Sequence, residues 1–147
     1  MADQLPYIKN FDAWNEHKKR IEKRTGPHAK PGEIWWTYWG VNVGHEMDGK
    51  GEDFERPALV LAIFGSSIFV APTTSSPHGA YTHQIETKRN IKIHVSLSHV
   101  RCIDHRRLRR MVNVTTPEGF SLLQDILIHY IKRNRAFQRG ISGPSGA

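Results

Sequence analysis

Cysteine is almost absent. Cys102 is the only one in 147 residues, which excludes an intramolecular disulfide framework and a cysteine-ligated zinc site and fits a reducing cytoplasm. Long apolar runs are missing too. No stretch approaches the roughly 18 consecutive apolar residues of a membrane helix, and Met1 to Asn10 has no charged start followed by an apolar run, so we expect neither a membrane span nor a leader. Acidic residues are in deficit, 14 against 21 Lys and Arg, for a formal charge of +7. A polyanion is then the natural partner, nucleic acid first, because neutralising phosphates releases counterions. A basic surplus that only keeps the chain soluble is the competing reading. The histidines show no helical HxxxH pair and no cysteine partners, so no metal or other cofactor is expected. No internal repeat is present, and a hydrophobic fraction of 38% in 147 residues suits one modest core.

What is there divides into three parts: a helical extension and linker over 1–30, a main domain over 31–132, and a basic, flexible tail over 133–147. Residues 10–24 set Phe11, Trp14 and Ile21 among dense charges behind a capping Asn10, which predicts a short amphipathic helix with its basic face in water. Gly26, Pro27 and Pro31 then break it. Glu33 to Val41 alternates Ile34, Trp36 and Tyr38 with Trp35, Thr37 and Trp39, a strand apolar on both faces. Its second face needs cover from the helix, another subunit or stacked bases. Residues 57–64 and 67–72, separated by Gly65-Ser66, predict a central hairpin. A short edge strand is expected over 81–86, and broken period-2 segments over 91–103 complete a sheet that we expect to close into a small barrel. Thr116-Pro117-Glu118, followed by Phe120, Leu123, Leu127 and Tyr130, predicts a terminal helix packed on that sheet.

The loop over 42–56 is rich in glycine and carries Glu46, Asp48, Glu52, Asp53 and Glu55 against Lys50 and Arg56. Its acids lack the alternating ligand order of a calcium loop. They remain either solvated residues or contacts to base edges, where a carboxylate accepts from an exocyclic amine. Arg56 precedes the first hairpin strand and Thr73 follows the second, so a hairpin brings both to one end. A guanidinium beside a hydroxyl there can bind a phosphodiester, or it can be a strand-end arginine paired to Glu55 beside a turn threonine. Thr74 offers a second hydroxyl one residue on. Arg101, Arg106, Arg107, Arg109 and Arg110, offset only by Asp104, are either a landing strip for RNA or a structural turn.

Five blocks in order, Pro31-Gly32-Glu33-Ile34-Trp35-Trp36, Gly44-His45-Glu46, Arg56-Pro57-Ala58-Leu59-Val60-Leu61, Pro72-Thr73-Thr74 and Val100 to Leu108, resemble the MazF/PemK family of toxin endoribonucleases. The resemblance implies a mainly β, α+β fold: an SH3-like small barrel with a C-terminal helix, here behind an N-terminal helical extension. It also implies a cytoplasmic homodimer that cleaves single-stranded RNA without a metal and is held in check by a cognate antitoxin. By the same resemblance Arg56 is the catalytic arginine, Thr73 the active-site hydroxyl and Glu46 a catalytic acid of the loop that assists proton removal from the ribose 2′-hydroxyl. Substrate contacts are expected from Thr74, His45, Asp48, Lys50 and Arg101. Two features depart from the family pattern, the extra Lys50-Gly51-Glu52-Asp53-Phe54-Glu55 segment and the N-terminal extension, so the cleavage motif does not carry over.

Overall fold

Strand β1 (Glu33–Tyr38) pairs antiparallel with β2 (Glu55–Phe64), and β2 turns through Gly65-Ser66 into β3 (Ser67–Thr74), its antiparallel neighbour. The computed structural model describes residues 6–134. The two-residue period of the strands sorts their side chains into two cores. Leu59, Leu61, Ile34 and Ala71 join one, while Ala58, Val60, Trp35, Ile68 and Val70 join the other. That is why 57–64 reads as one continuous apolar run: both of its faces are covered.

The rest of the sheet comes from β4 (Thr82–Glu86), β5 (Lys92–Ser96), β6 (Arg101–Asp104) and β7 (Leu108–Val114). The strand order is β4-β5-β3-β2-β1-β7, with β6 also on β3. One edge of β3 is shared: Ser67 to Val70 face β6, and Thr73 and Thr74 face β5. A short 3-10 turn at Leu97–His99 carries the chain between the two partners, at the break expected near Ser98-His99.

The expected barrel stays open between β4 and β7. A single bridge, Thr87 to Thr115, joins the ends of those strands where a closed barrel would have a ladder. The chain leaves β7 there into α2 (Pro117–Arg133), whose first turn is capped by Thr116 Oγ1 accepting from Gly119 N at 3.1 Å. α2 lays Leu123 into the first core beside Ile85 of β4, with Phe120, Leu127 and Tyr130 around it. Strand β7 was not foreseen, because Arg109, Arg110 and Asn113 dilute its alternation; pairing to β1 makes it a strand where propensity does not. The basic tail expected from 133 lies, from residue 135 on, outside the described residues.

Helix α1 (Phe11–Glu22) starts at Asn10, whose Oδ1 accepts from Ala13 N at 3.0 Å. It buries Trp14, His17 and Ile21 against Val41, Tyr38 and Phe54. Trp39, on the second aromatic face of the β1 region, is only 1% exposed within the second core. Protein covers that face, with Arg101 over the Trp39 ring and Arg107 over the Trp14 ring. Among the described residues no helix is long and apolar enough to cross a membrane.

Candidate active site

The register that sets Ala58 opposite Pro72 ends β2 and β3 side by side, with Arg56 on one strand and Thr73 and Thr74 on the other. The convergence read from the hairpin is therefore present. Arg56 Nη1 donates to the Thr73 carbonyl at 3.0 Å, and Thr73 Oγ1 donates to the Pro57 carbonyl at 3.0 Å. Arg56 Nε and Nη2 both donate to the Asp48 carbonyl, at 2.8 and 2.7 Å. These three bonds hold the guanidinium from two sides and leave two of its five N–H groups for a ligand. Burial presses the Arg56 pKa below the ordinary arginine value, opposed by the charge of Asp48. The group stays cationic and is poorly hydrated, a state in which its attraction for an anion is strong.

Beside it opens a cleft of about 670 Å³ lined by Trp36, Lys50, Arg56, Thr74, Lys92 and His94, among others. His94 arrives because it faces Thr74 across the β3–β5 pair. A second cleft of about 430 Å³ lies between the loop and the N-terminal segment, lined by Tyr7, Asp48, Lys50, Phe54 and again Arg56. Arg56 and Lys50 thus stand at the junction of the two.

The two threonines differ in what their hydroxyls do. Thr73 spends its proton on Pro57, whereas Thr74 Oγ1 accepts from Ser76 N at 3.1 Å and keeps its proton. Asp48 contributes its backbone to Arg56 and turns its carboxylate away, where Oδ1 accepts from Asn42 N at 2.6 Å and Oδ2 from the Tyr7 hydroxyl at 3.0 Å.

Glu46 does not line either Arg56 cleft. Its carboxylate accepts from Val43 N at 2.8 Å and borders a separate hollow of about 150 Å³ with Trp39, His99 and Arg101. Arg101 donates there to the Trp39 carbonyl at 2.7 Å and the Asn42 side chain at 3.3 Å. Its pKa is lowered to about 10 by burial and by Arg107, against Glu46. His45 is exposed, with its carbonyl 3.4 Å from His99 Nε2. Structure therefore gathers Arg56, Thr73, Thr74, Asp48 and Lys50, and sets Glu46, His45 and Arg101 apart.

The arginine cluster is dispersed by its partners. Arg106 reaches Glu22, Arg107 the carbonyls of Tyr38 and Trp39, and Arg109 the carboxylate of Glu55. Asp104 caps the turn at His105–Arg107 by accepting from Arg106 N at 2.9 Å. Residues 105–107 thus form a turn, and Arg109 and Arg110 follow on β7. Lys92, His94, Tyr7 and Lys9 carried no signal in the sequence, because each meets the site through pairing or docking of distant segments.

The end of the loop is tightly built. Phe54 sits at φ 52°, a conformation that costs a bulky residue about 1–3 kcal/mol, and its carbonyl accepts from Trp39 N at 2.9 Å and Gly40 N at 3.0 Å. Gly49 lies so close that a Cβ there would stand 1.9 Å from that same carbonyl oxygen.

Residues 30–131 match the family described as PemK-like, MazF-like toxin of type II toxin-antitoxin system. No curated protein sequence matches the chain. Among solved structures, a MazF from Deinococcus radiodurans is 20% identical, covers 74% of this chain and 99% of its own, and superposes with a TM-score of 0.58. An endoribonuclease in complex with its cognate antitoxin from mycobacterial species is 9% identical over 71% of this chain and 96% of its own, with a TM-score of 0.54. A MazE-MazF complex from Deinococcus radiodurans is 18% identical over 74% of this chain and 98% of its own, with a TM-score of 0.52. At these identities the likeness is one of fold.

Proposed function

The chain belongs to the PemK-like, MazF-like toxins of type II toxin-antitoxin systems, and from that premise we propose that it is an endoribonuclease that cuts single-stranded RNA at the Arg56 cleft. The observation that carries this reading is Arg56 itself, clamped by the carbonyls of Asp48 and Thr73 with two N–H groups left over. In the proposed reaction the ribose 2′-oxygen attacks the adjacent phosphorus, the bond to the 5′-oxygen breaks with that oxygen taking a proton from solvent, and a 2′,3′-cyclic phosphate and a 5′-hydroxyl remain. Arg56 stabilises the charge that grows on the phosphorane oxygens. Thr74 supplies the free hydroxyl donor to the phosphate, while Thr73 holds the strand end that positions Arg56.

The proton of the 2′-hydroxyl must go to a base. Glu46 was expected in that role by resemblance, but it borders another hollow, and Glu55 is engaged by Arg109. His94 lines the Arg56 cleft, and we assign it the role, since an imidazole ring nitrogen serves as a proton acceptor in general-base catalysis. No step of this scheme is routed through a metal ion. Cytoplasmic location, a cognate antitoxin as inhibitor and a homodimeric state complete the proposal. Leu122, Ile128 and Ile131 of α2, between 49% and 64% exposed, supply apolar surface for self-association, which sedimentation across a concentration series tests.

The deciding experiment incubates the purified protein with mixed single-stranded RNA in EDTA and maps the ends. Discrete cuts ending in cyclic phosphate and 5′-hydroxyl are expected, with a loss of about 10²–10³ in rate for Arg56→Ala. Undiminished cutting by that variant would remove Arg56 from the mechanism, and silence of the wild type on diverse RNAs would leave a binding module. His94→Gln is expected to slow cleavage more than Glu46→Gln; the reverse order returns the base role to Glu46.

A further inference from the structure

The matched region starts at residue 30, yet the segment before α1 touches the residue that clamps Arg56. Asp48 faces two ways: its carbonyl takes two hydrogen bonds from Arg56, and its carboxylate is held by Asn42 N, the Tyr7 hydroxyl and, at 3.4 Å, the Lys9 ammonium. Lys9 also donates to the carbonyls of Asn42 and Gly44, the latter at 2.8 Å. One ammonium thus ties together the start, middle and end of the 42–48 segment. Burial and the Asp48 carboxylate push the Tyr7 phenol up, which keeps it protonated as a donor. α1 anchors this segment from behind, through the Asn10 cap and through Trp14 packed on Gly40.

We propose that Tyr7 and Lys9 are positioning residues for Arg56, acting through Asp48. The kinetic half of this inference rests on the ribonuclease reading, whereas the structural half does not. Loop 42–56 has its own ties without the N-terminal segment: Trp39 Nε1 and Asn42 Nδ2 both donate to the Met47 carbonyl at 2.8 Å, and Gly49 N donates to the Gly40 carbonyl at 2.7 Å. Losing the Tyr7 and Lys9 contacts therefore leaves the loop folded and the Asp48–Gly49 peptide still tied to Gly40, but it strips the Asp48 carboxylate of two of its three partners and so loosens the segment that carries the Arg56 clamp. Because a misplacement of about 1 Å can cost as much as 10²-fold in rate, a loosened Arg56 shows in turnover before it shows in stability.

The test uses the full chain with Tyr7→Phe, Lys9→Met, the double variant and Lys9→Arg, each of which keeps most of the side-chain bulk. Two readouts are taken: steady-state cleavage of a defined single-stranded RNA, and hydrogen exchange of the Arg56 Nε–H by NMR. The double variant is expected to lose about tenfold in kcat with KM and melting temperature nearly unchanged. Its Arg56 Nε–H is expected to exchange markedly faster, and Lys9→Arg to restore most of both. Unchanged Nε–H exchange overturns the proposal, as does faster exchange with unchanged turnover. If the wild type cleaves nothing, the ribonuclease reading fails separately, and the exchange measurement alone decides whether Tyr7 and Lys9 hold Arg56.

Discussion

Two adjacent threonines with the same hydroxyl are set apart by one hydrogen bond each. Thr73, 9% exposed, donates to Pro57, so Thr73→Val leaves a carbonyl at the strand end without its partner and should cost about 1 kcal/mol of stability. Thr74→Val removes a hydroxyl whose proton is unspent, and its stability should stay within about 0.5 kcal/mol of wild type. Denaturant titration and RNA cleavage of the two variants separate these roles: Thr74→Val should be the stable variant with the larger specific loss in rate. If both lose stability equally and neither loses rate, the cleft hydroxyls have no part in the chemistry. Arg56 was legible from its place before Pro57, whereas its partner Asp48 was legible only as a loop acid and an expected substrate contact. That Asp48 serves through its backbone is invisible in a residue type.

At the level of elements, α1 and loop 42–56 act as one unit. Gly40, at φ 94°, lies so close to Trp14 that a Cβ would stand 2.4 Å from its ring, so Gly40→Ala should push α1 off and destabilise the protein by about 1–3 kcal/mol. A pH dependence belongs to the same interface. His17 is 7% exposed among Trp14, Tyr38 and Phe54, with its Nδ1 3.1 Å from Arg20 and its Nε2 3.8 Å from Asp53. Burial first and Arg20 second lower its pKa, against Asp53 and Glu55. As pH falls below about 6.5 the unfolded chain takes up a proton on this histidine before the folded one does. Its contribution to stability is thus present above that pH and is lost as pH falls towards the lowered value. His17→Phe keeps an aromatic ring and removes the titration. Comparing unfolding at pH 7.5 and 5.5 should show a smaller acid loss in the variant, and an equal loss would place the sensitivity elsewhere.

For the whole molecule, the formal charge of +7 suggested a polyanion without saying where it lies. The densest run of arginines is spent on carbonyls, carboxylates and aromatic rings, whereas Lys50 and Lys92 stand in the Arg56 cleft, both exposed. Lys50→Ala and Lys92→Ala should each weaken binding of a single-stranded oligonucleotide whose 2′-oxygen is blocked. Each should also reduce the slope of log affinity against log salt by about 0.7, one phosphate contact apiece. A slope unchanged by either would move the phosphate track away from this cleft.

Local pattern decided much of this protein: the helix cap at Asn10, the apolar hairpin about Gly65-Ser66, the Thr116 start of α2, and the meeting of Arg56 with Thr73. Each of these follows from sequence neighbours, because caps, turns and a two-residue hairpin set their geometry within a few residues. Tertiary structure alone decided that β7 is a strand, that the barrel is bridged and not laddered between β4 and β7, that Glu46 and Arg101 lie outside the Arg56 cleft, and that Tyr7 and Lys9 reach Asp48. Those outcomes depend on contacts between segments tens of residues apart. Such contacts form only when burial of both sheet faces outweighs the entropy of closing the long loops between them.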